Sequence, residues 1–369
     1  MTRDFDAAAQ CPSAPTNGRP TKTIRSSTCI LVTGGTGSLV FHLIVNLAER
    51  PDVATVLVLN RRHEADAMER QLQTYGTDMS KPLLGLPHET YAAICSNTTH
   101  IIHAAWAMLA KRPISGFQCQ FHVMRNLIKL ARDAFGTSPL STHPILFEFV
   151  SSIAVVGHYP LRHNTPDVPE DIWTASASRA SCPMAMATQV RLRACSGPHA
   201  AQAPAASCVS IGQIAGATAS GYWNTQEHLP LLLRFPQTLH CLPRLEGLLS
   251  WTPVDRVAGA LADLVLAPGT PCPVYNIDNP VRQLWSDVLS VLADGMGAED
   301  MIPFQDWVGR VRAAPAAGGV AGGHSASLLL DFLDKNLEGM SCGTLLLSTD
   351  QATKHSPTLL ATVPVSTLG

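Results

Sequence analysis

Leu31-Val32-Thr33-Gly34-Gly35-Thr36-Gly37-Ser38-Leu39-Val40 is an apolar run that breaks into glycines and then resumes at helical spacing. Upstream, Cys29 and Ile30 extend the run into a short buried strand. Downstream, Leu39, Leu43, Ile44 and Leu47 recur on one helix face. A strand, a glycine-rich turn and a helix N-terminus bring unpaired backbone N–H groups and the positive end of the helix dipole to one point, which suits a pyrophosphate. Gly34 permits the tight turn, and Gly37 lets the backbone approach the phosphates. On this reading Thr33, Gly34, Thr36, Gly37, Ser38 and Leu39 make the phosphate cradle, although an ordinary strand-to-helix loop can carry the same pattern.

The residues after the turn favour the nucleotide. Thr55 to Asn60 (TVLVLN) forms a second β-run at the distance a βαβ unit requires, and it ends in Arg61-Arg62 where a site for NAD would carry Asp or Glu. Two cations there suit a 2′-phosphate and hence NADP(H); the competing reading is a solvated pair at a strand end. Further along, Glu64 to Leu72 reads as a short helical stretch and Leu72 to Thr77 as a poor third strand. Asp78 to Pro82 reads as a loop able to bring Asp78 to the adenine. His100 to Trp106 (HIIHAAW) supplies a fourth strand and the loop after it, Phe117 to Arg132 an amphipathic helix, and Ile145 to Val150 a fifth strand ending in Ser151-Ser152. Ser207 to Ile211 supplies a sixth. The alternation predicts an α/β chain with a Rossmann-type doubly wound parallel sheet over 28–216. A polar lead-in over 1–27, rich in Pro, Ser and Thr, is expected to be disordered. A smaller C-terminal substrate-binding lobe is expected over 217–369, with one late strand at about 273–278 returning to the sheet. In that part the chain turns aromatic at Tyr222, Trp223, His228 and Trp251, Val254 to Leu266 and Leu328 to Leu337 read as helices, and Ala313 to Gly323 reads as an Ala/Gly-rich linker.

Composition narrows the partners. The 369 residues are 46% hydrophobic and 15% charged with a net charge of −2, which offers no field for nucleic acid or an anionic membrane and leaves a small-molecule or carrier-bound substrate. Ten cysteines show no CxxC pair and no secretory signal precedes them, so reduced thiols and a cytoplasmic location are expected. No apolar run reaches the length of a membrane span. The 14 histidines and ten cysteines never converge at metal-ligand spacing, so no metal is expected.

Several blocks together resemble one family. They are the glycine turn with Asn60-Arg61-Arg62, Asp78 to Pro87 (DMSKPLLGLP), HIIHAAW, Phe149 to Gly157 (FVSSIAVVG), Ser210 to Asn224 (SIGQIAGATASGYWN), Leu249 to Ala258 (LSWTPVDRVA), Tyr275 to Pro280 (YNIDNP) and Met340 to Gly343 (MSCG). This set resembles the thioester reductase domains of fungal nonribosomal-peptide-synthetase-like and polyketide synthases, which are extended short-chain dehydrogenase/reductases of the male-sterility type. The resemblance implies NADPH-dependent release of an acyl or aminoacyl chain from a phosphopantetheine carrier thioester as an aldehyde, sometimes an alcohol, in secondary metabolism. It implies that the oxyanion is met by a Ser or Thr and by a Tyr whose pKa a Lys lowers. Ser152 takes the hydroxyl role, Ala104 and Ala105 line the cofactor, and Gln213, Tyr222 and Trp223 fall in the block assigned to substrate.

The chain departs from that pattern where the proton donor belongs. Tyr75, Tyr91, Tyr159, Tyr222 and Tyr275 are each followed four residues on by Met79, Cys95, His163, Gln226 and Asn279, and no lysine occurs between Lys129 and Lys335. The stretch Cys182 to Val190 puts Met186 at the family's Tyr position and Val190 at its Lys position. Val40 replaces a third glycine, and its branched side chain is expected to push the helix outward. Ala104 replaces an Asn, and the segment from Arg62 to Asp78 is short. His158 and Tyr159 are candidate substitute donors with a structural reading beside them, and Cys182 and Cys195 lack an activating partner in the sequence. Two functions therefore stand: the reductase, and a non-catalytic NADP(H)-binding or scaffold protein derived from it.

Overall fold

The computed structural model describes residues 28–61, 72–106, 114–137, 145–171, 205–224, 227, 230, 239–298, 300–313 and 342–365. Seven strands form the main sheet: β1 (Thr28–Thr33), β2 (Val53–Arg61), β3 (Leu72–Thr77), β4 (His100–His103), β5 (Leu146–Ser152), β6 (Ala205–Ile211) and β7 (Val274–Ile277). Their order is β7-β6-β5-β4-β1-β2-β3 and every neighbouring pair runs parallel. The order reverses between β1 and β4, the place where an open parallel sheet leaves a crevice at its carboxyl edge. The expected doubly wound sheet is therefore present, and the strand expected at about 273–278 occupies its edge.

Burial on both faces explains the strand sequences. Ile30, Leu31 and Val32 are each 0% exposed, because alternate side chains enter opposite helical layers. On one face Leu31, Leu57, Ile101 and Phe147 meet Ile94 and Leu127 of α2 (His88–Asn97) and α3 (Gln118–Thr137). On the other, Ile30, Val56 and Val209 meet Leu43 and Leu261 of α1 (Ser38–Glu49) and α4 (Val254–Leu266). Helix α2 was not anticipated, since only Tyr91, Ile94 and Cys95 bury in it. The segment read as a poor third strand is a full edge strand paired with β2 from Leu72 to Thr77. An edge strand pairs on one side only and stays half exposed, so Gln73 and Thr74 are tolerated in it.

The late part of the chain returns to the sheet through more than β7. Asp263 of α4 pairs with Arg50 at the end of α1 and accepts from Ser356 Oγ at 2.8 Å and Thr358 N at 3.0 Å, which ties α8 (Pro357–Leu360) to the same layer. Glu170 accepts from Asn276 N of β7 at 2.8 Å and from Gln351 N and Ala352 N in α7 (Asp350–His355), the latter at 3.0 Å. A separate cluster built on Leu242, Trp251, Trp285, Phe304 and Trp307 forms the lobe, with α5 (Trp285–Met296) and α6 (Phe304–Ala313). The tryptophans of these two helices are fully buried. The expected helix at Glu64 to Leu72, apart from Leu72, which starts β3, the expected helix at Leu328 to Leu337 and most of the Ala313 to Gly323 linker lie outside the described residues.

Candidate functional site

The glycine turn joins β1 to α1 at the crevice. Gly34 has φ +89, a conformation that glycine adopts freely. Gly35 is held by contact: an added Cβ would lie 2.5 Å from Val58 Cγ1 and 3.0 Å from Asn60 Oδ1. Gly37 is different. Its φ is −79, and a Cβ there would meet nothing nearer than the Gly34 carbonyl oxygen at 3.4 Å, so packing within the protein does not demand glycine. Gly37 is the N-cap of α1 with no side-chain cap, and Thr36, Gly37 and Ser38 are exposed. The first backbone N–H groups of the helix, at Ser38 and Leu39, have no partner within the helix and receive no side-chain cap from Gly37. Val40 is 4% exposed and packs in the core with Leu43 and Val58, so its branched side chain is housed by the packing rather than left at the mouth of the turn.

Thr33 ties this turn to the loop after β4. Its Oγ1 accepts from Ala104 N and Ala105 N, each at 3.2 Å, and lies 2.7 Å from His103 Nδ1. His103 is 0% exposed, packs beside Phe149 and has its pKa lowered to about 4 by burial. Sequence reasoning passed over His103, although it sits in HIIHAAW beside Ala104 and Ala105.

At the end of β2, Arg61 is exposed and Asn60 buried, with Asn60 Oδ1 lacking a partner among the described residues. Arg61 lies opposite Thr77, which brings Asp78 to the neighbouring strand end. The Asp78 carboxylate accepts from Ser80 Oγ at 2.7 Å and Ser80 N at 3.2 Å and sits 3.7 Å from Lys81 Nζ. The bonds from the Ser80 hydroxyl and backbone N–H, then the Lys81 charge, lower its pKa. The next loop is tightly wound: Leu83 and Leu84 take φ of 52 and 57, and Asn126 Nδ2 of α3 donates to the carbonyls of Met79 and Lys81 at 3.0 and 2.8 Å. Arg62 lies outside the described residues.

Ser152 ends β5 two strands from β1, half buried, and its Oγ accepts from Ala154 N at 3.3 Å. Ile211 of β6 lies opposite it, and Gln213 comes two residues later, donating from Nε2 to the Ile214 carbonyl at 2.8 Å. Tyr222 is 63% exposed on a loop closed by Ala217 N donating to its carbonyl at 3.0 Å. Trp223 is half buried, donates from Nε1 to Glu227 Oε2 at 3.0 Å and meets Trp251 edge-to-face. Tyr159 is buried and stacked on His163 at 4.1 Å, a packing role. Cys182, Met186, Val190 and Cys195 lie outside the described residues. Among the described residues no three His, Cys, Asp or Glu side chains group closely enough to hold a metal ion, and no helix is long and apolar enough to cross a membrane.

A family model described as "Male sterility protein" matches residues 32–181, from the glycine turn through Ser152. Residues 32–181 of the chain carry this family's domain. The non-reducing polyketide synthase pigA of Monascus ruber is 44% identical over 364 residues, covering 92% of this chain and 13% of that protein. The 3-methylorcinaldehyde synthase tropA of Talaromyces stipitatus is 41% identical over 365 residues, covering 91% and 13%. The chain thus spans about one-eighth of the length of these curated relatives. Its fold is that of the terminal R domain from the myxalamid PKS-NRPS biosynthetic pathway, with a TM-score of 0.71 at 19% identity over 92% of this chain and 88% of the other.

A nicotinamide dinucleotide fits the chain's own atoms at three points. They are the uncapped N-terminus of α1, the unfilled Cβ position at Gly37, and the unpaired acceptor of Asn60 beside exposed Arg61.

Proposed function

We propose that this chain is an NADP(H)-dependent reductase that releases an acyl or aminoacyl chain, held as a thioester on a phosphopantetheinyl carrier, as an aldehyde. The observation that carries the reading is the shared edge: the uncapped helix N-terminus at Gly37 and the Ser152 hydroxyl open on the carboxyl side of the same sheet, with β4 between their strands. Thr36, Gly37, Ser38 and Leu39 would hold the pyrophosphate, Arg61 and Arg62 the 2′-phosphate, and Asp78, Ala104 and Ala105 the rest of the dinucleotide. The bound cofactor would supply a hydride. Ser152 Oγ already accepts the Ala154 N–H, so its proton is left to donate to an oxyanion developing on the thioester carbonyl. Gln213, Tyr222 and Trp223 lie on segments suited to contact the acyl or pantetheine chain.

The test is incubation with NADPH and an acyl-pantetheine thioester, monitoring loss of nicotinamide absorbance with the aldehyde trapped. Turnover is expected, and Ser152→Ala should lower it about 10²–10³-fold, as loss of one oxyanion donor does. Indifference to that substitution would remove Ser152 from the mechanism. A second reading, a non-catalytic NADP(H)-binding or scaffold protein, is favoured by one observation: no tyrosine in the sequence is followed four residues on by lysine. Cofactor-dependent thermal shift with no turnover would select it. Met186→Tyr with Val190→Lys should then raise the rate if the family's donor is what the chain has lost.

A further inference from the structure

We propose that His103 is a positioning residue that clasps the glycine turn to the loop after β4, and that it does so in one tautomer, with the ring proton on Nε2. The inference rests on the proposed cofactor reading for its consequence, but its geometry stands on the protein alone.

A threonine hydroxyl has two lone pairs and one proton. At Thr33 both lone pairs are taken, by Ala104 N–H and Ala105 N–H at 3.2 Å each. The hydroxyl proton is left to the remaining neighbour, His103 Nδ1 at 2.7 Å. Nδ1 is then an acceptor, so the neutral ring carries its proton on Nε2, a buried atom with no partner among the described residues. A proton on Nδ1 would confront the hydroxyl proton with another donor and open the clasp. Burial holds the ring neutral through the physiological range.

The clasp lies where two loops touch. A Cβ on Gly34 would come within 3.2 Å of both Ala105 Cα and Ala105 N, so turn and loop are in van der Waals contact, and one hydroxyl fixes their separation through three hydrogen bonds. Thr33, Gly34, Ala104 and Ala105 all belong to the proposed cofactor site. The spacing of the two walls that hold a dinucleotide is thus set from beneath by a histidine that need not touch it.

The experiment compares His103→Leu, which removes the acceptor at similar bulk, with His103→Asn, whose side-chain oxygen can stand where Nδ1 stood. NADPH affinity is read by fluorescence titration, and the wild-type ring by ¹⁵N NMR. His103→Leu should weaken NADPH about tenfold, the effect of one net hydrogen bond, and His103→Asn should recover most of that. Thr33→Val should cause the same loss, and the double variant with His103→Leu no more than either alone. The wild-type spectrum should show protonated Nε2 and bare Nδ1 across roughly pH 5–8. A proton on Nδ1, unchanged affinity in a folded His103→Leu, or an Asn variant no better than Leu would overturn the proposal. Should the wild-type chain bind neither NADPH nor NADH, the proposed function fails. The clasp is then judged by the ring tautomer and by the Thr33–His103 coupling in urea unfolding, neither of which involves a cofactor.

Discussion

The two neighbouring glycines of the turn should respond to alanine in opposite ways. In Gly35→Ala the new methyl carbon would lie 2.5 Å from Val58 Cγ1 and 3.0 Å from Asn60 Oδ1, so the core must shift, at a cost of about 1–3 kcal/mol of folding free energy. In Gly37→Ala the methyl meets only the Gly34 carbonyl oxygen at 3.4 Å, and φ of −79 suits alanine. The poorer N-cap costs roughly 0.5–1 kcal/mol, and the stiffer unfolded chain returns about 0.4–1 kcal/mol, so stability should stay within about 0.5 kcal/mol. The same methyl stands where a phosphate must approach Ser38 and Leu39. Losing one hydrogen bond to a charged group, worth roughly 1.5–3 kcal/mol, weakens the dinucleotide by about 10- to 150-fold. Urea unfolding gives the first quantity and NADPH fluorescence titration the second. If Gly37→Ala binds NADPH as the wild type does, or loses as much stability as Gly35→Ala, the turn is a structural loop and the phosphate assignment is wrong.

Arg61→Ala combined with Arg62→Ala should weaken NADP(H) far more than NAD(H) in the same titration, and equal losses would mean the pair is only surface charge. Asp278 is 0% exposed and pairs with Arg282 Nη1 at 2.9 Å, so Arg282→Met should cost about 3–5 kcal/mol in urea unfolding, with Asp278→Asn in the same chain recovering much of it. Half-buried His100 and buried His103 and Asp278 contribute to the acid titration of stability. His100 and His103 have pKa values lowered to about 4 by burial, so their contribution is complete above the unfolded value near 6.5 and is lost as pH falls toward 4, up to roughly 3 kcal/mol each. Burial raises Asp278 to about 6 against the pull of Arg282, so it acts in the opposite sense, favouring folding as pH falls through that range by roughly 3 kcal/mol. Asp278→Asn should therefore steepen the loss of stability between about pH 6.5 and 4, and a shallower curve would show that the carboxylate is charged in the fold.

The sheet was legible because parallel strands buried on both faces read as unbroken apolar runs. Val254–Leu266 and Val274–Ile277 fall where the periodicity puts them. The elements read weakly, as β3 was, or missed, as α2 was, have weaker local signals. β3 is an edge strand whose apolar content is Leu72 and half-buried Tyr75, and α2 buries three side chains in ten residues. In the lobe Trp285 and Trp307 were not singled out from the sequence, yet each is fully buried on a helix. The left-handed backbone at Leu83 and Leu84 has no sequence signature, since leucine takes it only where buried neighbours enforce it. At the site, the glycines, Arg61 and Ser152 announce themselves by motif. His103 does not, because its role depends on a threonine 70 residues away that becomes its neighbour only when β1 and β4 pair.

The edge strand Val274–Ile277 and the helices at 350–360 that cover it have a consequence for how the chain is made. A ribosome adding roughly 5–20 residues per second needs on the order of three to fifteen seconds to pass from the end of β6 at Ile211 to the end of β7 at Ile277, and the sheet stays one strand short for that time. During that interval β6 presents a bare row of amide and carbonyl groups to the cell. This is the stretch of time in which the nascent chain depends most on chaperones. It is also when a stalled or prematurely terminated message would release a fragment prone to aggregate.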